Sequence, residues 1–179
     1  MKSFASLSVK ERMSGVDKLQ FYCIDPDYIA YLKKVDSRVP DVEYPGQRKK
    51  MLCGVVFKLH GISYYAPVSH RTTFPYANFI IRQRDGTPIS SLRLQYMIPV
   101  PDNVLTEINI QQLIQTDRKY GNLVLKEYRY CNRLDCIEAV MKLARKAYLI
   151  SNDPSHCHHN SFCNFTALEA AMREYKKES

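Results

Sequence analysis

Ser69, His70 and Arg71 are consecutive in this 179-residue chain. A hydroxyl, an imidazole and a guanidinium therefore leave the backbone side by side, directly after Ala66-Pro67-Val68. A second cluster, Arg48-Lys49-Lys50, stands just ahead of the apolar run Leu52 to Leu59. Together these groups suit metal-independent cleavage of RNA, in which a ribose 2′-hydroxyl attacks its own phosphate and the bond to the next 5′-oxygen breaks. That reaction needs a base for the 2′ proton, an acid for the leaving oxygen and cations for the charge that builds on phosphorus. His70 can serve as base or acid, Lys50 and Arg71 as phosphate ligands, and Ser69 as a donor to a non-bridging oxygen. The same residues also suit a static phosphate-binding loop, and side-chain chemistry alone leaves both readings open.

Charge favours a polyanionic partner. The chain carries 26 Lys and Arg against 18 Asp and Glu, a formal net charge of +8. Much of the excess falls in residues 44 to 93, where Arg48, Lys49, Lys50, Lys58, Arg71, Arg82, Arg84 and Arg93 face a single acid, Asp85. Tyr28, Tyr44, Tyr64, Tyr65, Phe74 and Tyr76 interleave with these cations, and rings exposed beside cations can stack on unpaired bases. Of these, Tyr64 and Tyr65 are adjacent in a strand, so at least one of them faces the core. Phosphate-cradling glycine loops, His-Glu-x-x-His and Gly-x-Ser-x-Gly are absent. The run His156-Cys157-His158-His159 and six cysteines raise a zinc site. Cys131 and Cys136, however, would lie about 140° apart around one helix, so no metal is expected and the histidine run reads as a polar surface loop.

The elements that must position these groups are legible in part. Residues 1–18 have little apolar periodicity and read as a poorly ordered extension; residues 19–179 read as one domain. Leu19 to Ile24 read as a strand, and Pro26 opens a helix with Tyr28, Leu32 and Val35 on its buried face. Residues 41–50 form a basic loop. Leu52 to Leu59 and Ile62 to Ala66 form a hairpin about His60-Gly61, and pairing Lys58 with Ser63 brings Lys50 toward Ser69–Arg71. Asn78 to Arg84 and Leu92 to Val100 read as further strands. Beyond Ile110 the period becomes helical, with one stripe of Leu134, Ile137, Met141, Ala144 and Tyr148 and another of Phe165, Leu168, Met172 and Tyr175. Met141 and Met172 are assigned to the core. Thr166-x-x-Glu169 is a capping box for the last helix, with Asn164 as the competing cap. The expected class is α+β, a twisted antiparallel β-sheet packed by helices. No stretch has the eighteen or so apolar residues of a membrane span, and the N-terminus lacks a secretory apolar core; a cytoplasmic location is expected.

Several short blocks, taken in order, resemble a known family. They are Phe21-Tyr22-Cys23-Ile24, Tyr28-Ile29-x-Tyr31-Leu32, Val39-Pro40, Lys50 followed by Gly54-Val55-Val56, Gly61, Tyr65-Ala66-Pro67, Met97-Ile98-Pro99 and Cys163-Asn164-Phe165. This series resembles the ToxN/AbiQ family of type III toxin–antitoxin endoribonucleases, nearest to its CptN subgroup. The resemblance implies a fold similar to the MazF/Kid toxins and a cofactor-free ribonuclease that cuts adenine-rich RNA, leaving a 2′,3′-cyclic phosphate. It implies inhibition by a small pseudoknotted RNA antitoxin that the toxin itself cuts from a precursor. Toxin and RNA would close into a ring, with three copies of each. Cellular or phage mRNA would be the substrate, with a role in phage defence. Carried over by position, the family's catalytic lysine falls on Lys50 and its tyrosines on Tyr44 and Tyr28. Ser69 stands for a hydroxyl residue, Arg71 replaces a lysine, and His70 has no usual counterpart, so the base is His70, Tyr44 or a neutral Lys50. The RNA-binding groove would add Arg48, Lys49, Lys58, Arg82, Arg84, Arg93 and Tyr76.

Overall fold

The computed structural model describes residues 17–42, 50–73 and 77–176. The expected hairpin is present as β2 (Leu52–Leu59) and β3 (Ile62–Ser69), with Lys58 opposite Ser63 and Leu52 opposite Pro67. Its turn holds His60 at φ 48° and Gly61 at φ 81°, the left-handed pair that matches the twist of the strands. The register shifts between Gly54 and Phe57. There the Tyr65 ring lies against Gly54 so closely that a Cβ would sit 2.2 Å from it, and only glycine allows that approach.

β3 is paired along both edges. β2 takes one edge, while β6 (Ile98–Pro99) pairs with Tyr64 and Tyr65 and β5 (Pro88–Arg93) with Val68 and Ser69 on the other. β4 (Asn78–Arg82) extends β5, and β1 (Gln20–Ile24) and β7 (Leu105–Glu107) extend β2, giving the antiparallel order β4-β5-β3-β2-β1-β7. The expected single strand from Leu92 to Val100 is thus two short strands separated by a 3₁₀ turn at Leu94–Tyr96. Both halves are buried, so the apolar run conceals the break. β4 stops at Arg82 because Gln83 turns the chain, its N–H donating to Thr87 O at 2.8 Å. Tyr64 and Tyr65 are both buried, since this part of β3 is covered on both faces.

Among the described residues there are five helices, α1 (Pro26–Val35), α2 (Ile110–Thr116), α3 (Arg118–Cys131), α4 (Leu134–Ser151) and α5 (Phe165–Glu174). α1 buries Tyr28, Ile29 and Leu32, whereas Val35, expected on that face, is 45% exposed. Met141 is 43% exposed, because the buried line of α4 runs through Ile137, Val140, Ala144 and Ala147. Met172 is partly buried against the core. α2 and α3 escape the periodicity reading because the buried face of α3 is Gly121, Val124, Glu127 and Cys131, half of it not conventionally apolar. Cys131 ends α3 and Cys136 begins the next helix, so the two do not share one helix as expected. Asn164, not Thr166, caps α5: its Oδ1 accepts from the Ala167 N–H at 3.1 Å. Glu169 turns inward instead, accepting from Tyr64 Oη at 2.5 Å and Tyr148 Oη at 3.1 Å.

The N-terminal layer is tied to the C-terminal helices by polar contacts. Leu19 gives its N–H to Asn132 Oδ1 at 2.9 Å and accepts from Asn132 Nδ2 at 2.8 Å. Asp36, at the end of α1, accepts from Arg38 Nε at 2.8 Å and from the Asn164 N–H at 2.7 Å. Burial opposes the Asp36 charge, but the bonds from Arg38 and Asn164 outweigh it and hold the carboxyl below its ordinary value. Its stabilisation is therefore complete above about pH 4 and is lost as pH falls through the lowered value. Asp36→Ala is expected to cost roughly 2–4 kcal/mol at neutral pH, measured by urea denaturation, with the difference from wild type shrinking in acid. An equal urea midpoint for both proteins at pH 7 would show that the clamp adds nothing.

Candidate active site

The sheet brings Lys50 to the strand end that carries Ser69. The Lys50 N–H donates to Val42 O at 2.9 Å and the Val68 N–H to Met51 O at 3.0 Å, so Lys50 enters the sheet level with Ser69. Beyond the strand, the Ser69 Oγ accepts from the Arg71 N–H at 3.3 Å, a side-chain-to-backbone turn that folds the loop back. Ser91, opposite Ser69 on β5, donates its Oγ to Arg71 O at 2.7 Å. His70 and Arg71 are exposed, and Ser69 and Lys50 are half-buried. Arg93 lies two residues from Ser91 and so on the same face of β5, about 7 Å away, its guanidinium 4.4 Å from the centroid of the Tyr96 ring. A hydroxyl, an imidazole and three cations thus share one end of β3, the set that phosphate capture and proton transfer require.

The other expected residues are distributed differently. Lys58 is at the hairpin turn, about 20 Å along the strands from Ser69. Arg82 donates to Gly86 O at 2.9 Å at the tip of the β4–β5 hairpin, with Arg84 exposed in its turn. Tyr28, expected at the site, is 0% exposed; its hydroxyl donates to Pro99 O at 2.8 Å and its ring packs edge-on to Tyr175 at 4.8 Å. Burial pushes its phenol further above the ordinary value, so Tyr28 packs α1 against the sheet and does not meet solvent. Tyr44, Arg48, Lys49 and Tyr76 lie outside the described residues. In the histidine run, the His158 N–H donates to His156 Nδ1 at 3.2 Å. Among the described residues no three His, Cys, Asp or Glu side chains converge as metal ligands.

Sequence reasoning missed Glu127. It is fully buried on α3, where burial pushes its carboxyl upward while the Ser90 hydroxyl and the charge of His70 oppose the rise. The available signal was an acid at helical spacing between Val124 and Cys131, on a face otherwise shielded from water.

Comparison with known proteins bears on the family of the whole chain. Residues 20–173 match the family described as "Toxin ToxN, type III toxin-antitoxin system". The chain is similar to Endoribonuclease ToxN of Bacillus thuringiensis subsp. kurstaki, with 30% identity over 92% of this chain and 88% of that protein. It is also similar to Endoribonuclease ToxN of Pectobacterium atrosepticum, with 26% identity over 90% and 96%. Among solved structures, one concerned with selective toxin inhibition by a non-coding RNA pseudoknot superposes with a TM-score of 0.82 at 30% identity, covering 90% of this chain and all of that one (100%). AbiQ, a lactococcal anti-phage endoribonuclease, shares the fold at a TM-score of 0.75 and 22% identity, covering 90% and 100%. With nearly the whole ordered sheet and helical layer inside the matched span, the chain belongs to the ToxN family of type III toxin–antitoxin toxins.

Proposed function

We propose that this endoribonuclease toxin cuts RNA without a metal ion at the end of β3, and that a pseudoknotted RNA antitoxin inhibits it by occupying the same basic surface. The observation that supports the reading is the register, which brings Lys50, Ser69, His70 and Arg71 to one strand end. His70 takes the proton of a ribose 2′-hydroxyl as O2′ bonds to phosphorus. Arg71 and the Ser69 hydroxyl hold the non-bridging oxygens, and the Lys50 ammonium protonates O5′ as the P–O5′ bond breaks. The products are a 2′,3′-cyclic phosphate and a 5′-hydroxyl. Cleavage falls at adenine-rich sites in cellular or phage mRNA and in the antitoxin's own precursor, in the cytoplasm and in the service of phage defence. Toxin and antitoxin assemble as a ring with three copies of each, and the resemblance of the sequence blocks supports assigning the chain nearest to the CptN subgroup. On sequence grounds Tyr44 is assigned to the catalytic site, and Arg48, Lys49 and Tyr76 to the RNA-contacting surface.

Purified protein incubated with a long mixed-sequence RNA in excess EDTA is expected to cut at adenine-rich positions and leave cyclic-phosphate ends. If folded, RNA-free protein does not cut, the site is a binding surface only. Ser69→Ala is expected to lower cleavage by about 10²-fold and abolish toxicity in cells, while RNA binding weakens by less than about tenfold; equal toxicity of variant and wild type would remove Ser69 from the chemistry. In a salt titration of RNA binding, Arg82→Ala or Arg84→Ala should each reduce the slope of log affinity against log salt by about 0.7 if its guanidinium meets a phosphate. An unchanged slope returns that side chain to the solvated surface.

A further inference from the structure

The buried face of α3 places a carboxyl where packing alone would favour an aliphatic side chain. Glu127 is fully buried, and neither of its carboxylate oxygens has a hydrogen-bond partner at ordinary geometry. Ser90 on β5 is equally buried, and its Oγ is also unsatisfied. The Ser90 hydroxyl lies close enough to favour the ionised carboxyl, yet the pair falls short of a well-formed bond. Leaving a buried hydroxyl and carboxyl so poorly partnered costs stability, and such groups call for a reason beyond packing.

The register shows what stands in front of them. Ser69 is opposite Ser91, so the next residues outward, His70 and Ser90, leave the ladder beside one another. Ser90 alternates with Leu92, which pairs with Phe79, and the Phe79 ring lies 6.1 Å from that of Tyr130 on α3. His70 and Ser90 therefore sit on the side of the sheet that α3 covers. The proton-bearing groups that face Glu127 are the Ser90 hydroxyl from β5, His70 from the end of β3 and the Cys53 thiol from β2, itself beside Cys131 of α3. His70 is the one that becomes cationic when it accepts a proton, and its charge favours ionised Glu127.

We propose that Glu127, with Ser90 beside it, is a positioning residue for His70: the buried carboxyl orients the imidazole and balances the charge it gains during RNA cleavage. The inference rests on His70 as the acid–base group of the proposed reaction. Its cost is visible in stability. Burial holds the Glu127 carboxyl above its ordinary titration range in the folded state, so its penalty is absent below about pH 4 and grows as pH rises through the raised value.

The test uses the full chain and a short adenine-rich RNA, comparing wild type, Glu127→Gln, Glu127→Asp, Ser90→Ala, His70→Ala and the His70→Ala/Glu127→Gln double variant from pH 5 to 9. Glu127→Gln is expected to melt about 3 °C or more above wild type at pH 8. It should bind a 2′-deoxy, uncleavable version of the RNA within about threefold, yet cleave at least about tenfold more slowly with a displaced pH–rate profile. Glu127→Asp should recover part of the rate, and Glu127→Gln should add no further loss to His70→Ala. If Glu127→Gln folds poorly, Ser90→Ala carries the same comparison with the loss of one oxygen. A wild-type pH–rate profile in Glu127→Gln, or a Glu127→Gln loss that persists undiminished without His70, overturns the proposal and leaves the ribonuclease reading standing. Wild-type cleavage by His70→Ala alone overturns the acid–base role of His70, and the proposal with it.

Discussion

Pairing along both edges of β3 is the constraint from which the rest of the structure follows. One edge must match β2 through the Gly54 irregularity, and the other must accept β6 at Tyr64–Tyr65 and β5 at Val68–Ser69. A strand held on both sides cannot slip by one residue without exchanging its two faces. The direction in which Ser69 and His70 leave the sheet is therefore fixed by backbone hydrogen bonds rather than by the side chains proposed to perform chemistry. Lys50 arrives by the same logic, since it precedes β2 and enters level with Ser69. Ser91 completes the arrangement by holding the carbonyl of Arg71. His70 and Arg71 stay in the open loop, while Ser69 and Ser91 belong to the ladder.

What the sequence made legible divides along physical lines. The β2–β3 hairpin could be read because a two-residue turn and β-branched and aromatic residues point the same way, and the approach of Lys50 to Ser69 follows from the register alone. The split of the Leu92–Val100 run could not, because both pieces are buried and apolar and only the partner strand decides where the chain breaks. The sequence signal for α3 was obscured by the very residues that matter there, since Gly121 and Glu127 interrupt its apolar stripe. Tyr28 was assigned to the site by resemblance, whereas its hydroxyl is spent on Pro99 O inside the core. Its place on the buried face of α1 was legible from the helical spacing, and the ring of Tyr175, from the far end of the chain, packs against it there.

Two buried carboxyls show how differently such groups are used. Glu169 receives the hydroxyls of Tyr64 and Tyr148 on Oε1 and has the Arg173 guanidinium 3.9 Å from Oε2, so it is well partnered and locks α5 to the sheet. Glu127 has only an imperfect hydroxyl neighbour and stands behind the loop of the candidate site. Stability supplies a ready reason for the first arrangement and none for the second. A ToxN-family toxin thus combines a well-satisfied core with a poorly satisfied pocket placed behind the proposed chemistry.

The ties between Leu19 and Asn132, Tyr31 and Ala171, and Asp36 and Asn164 span 113, 140 and 128 residues of sequence. Contacts this distant make for slow, late closure. During synthesis from the N-terminus, the central hairpin can pair as soon as it emerges, but α1 finds its lasting partners only when the last helix has been made. A ribosome carrying a chain that stops short of α5 therefore holds no finished toxin: the N-terminal layer locks only once that helix has emerged.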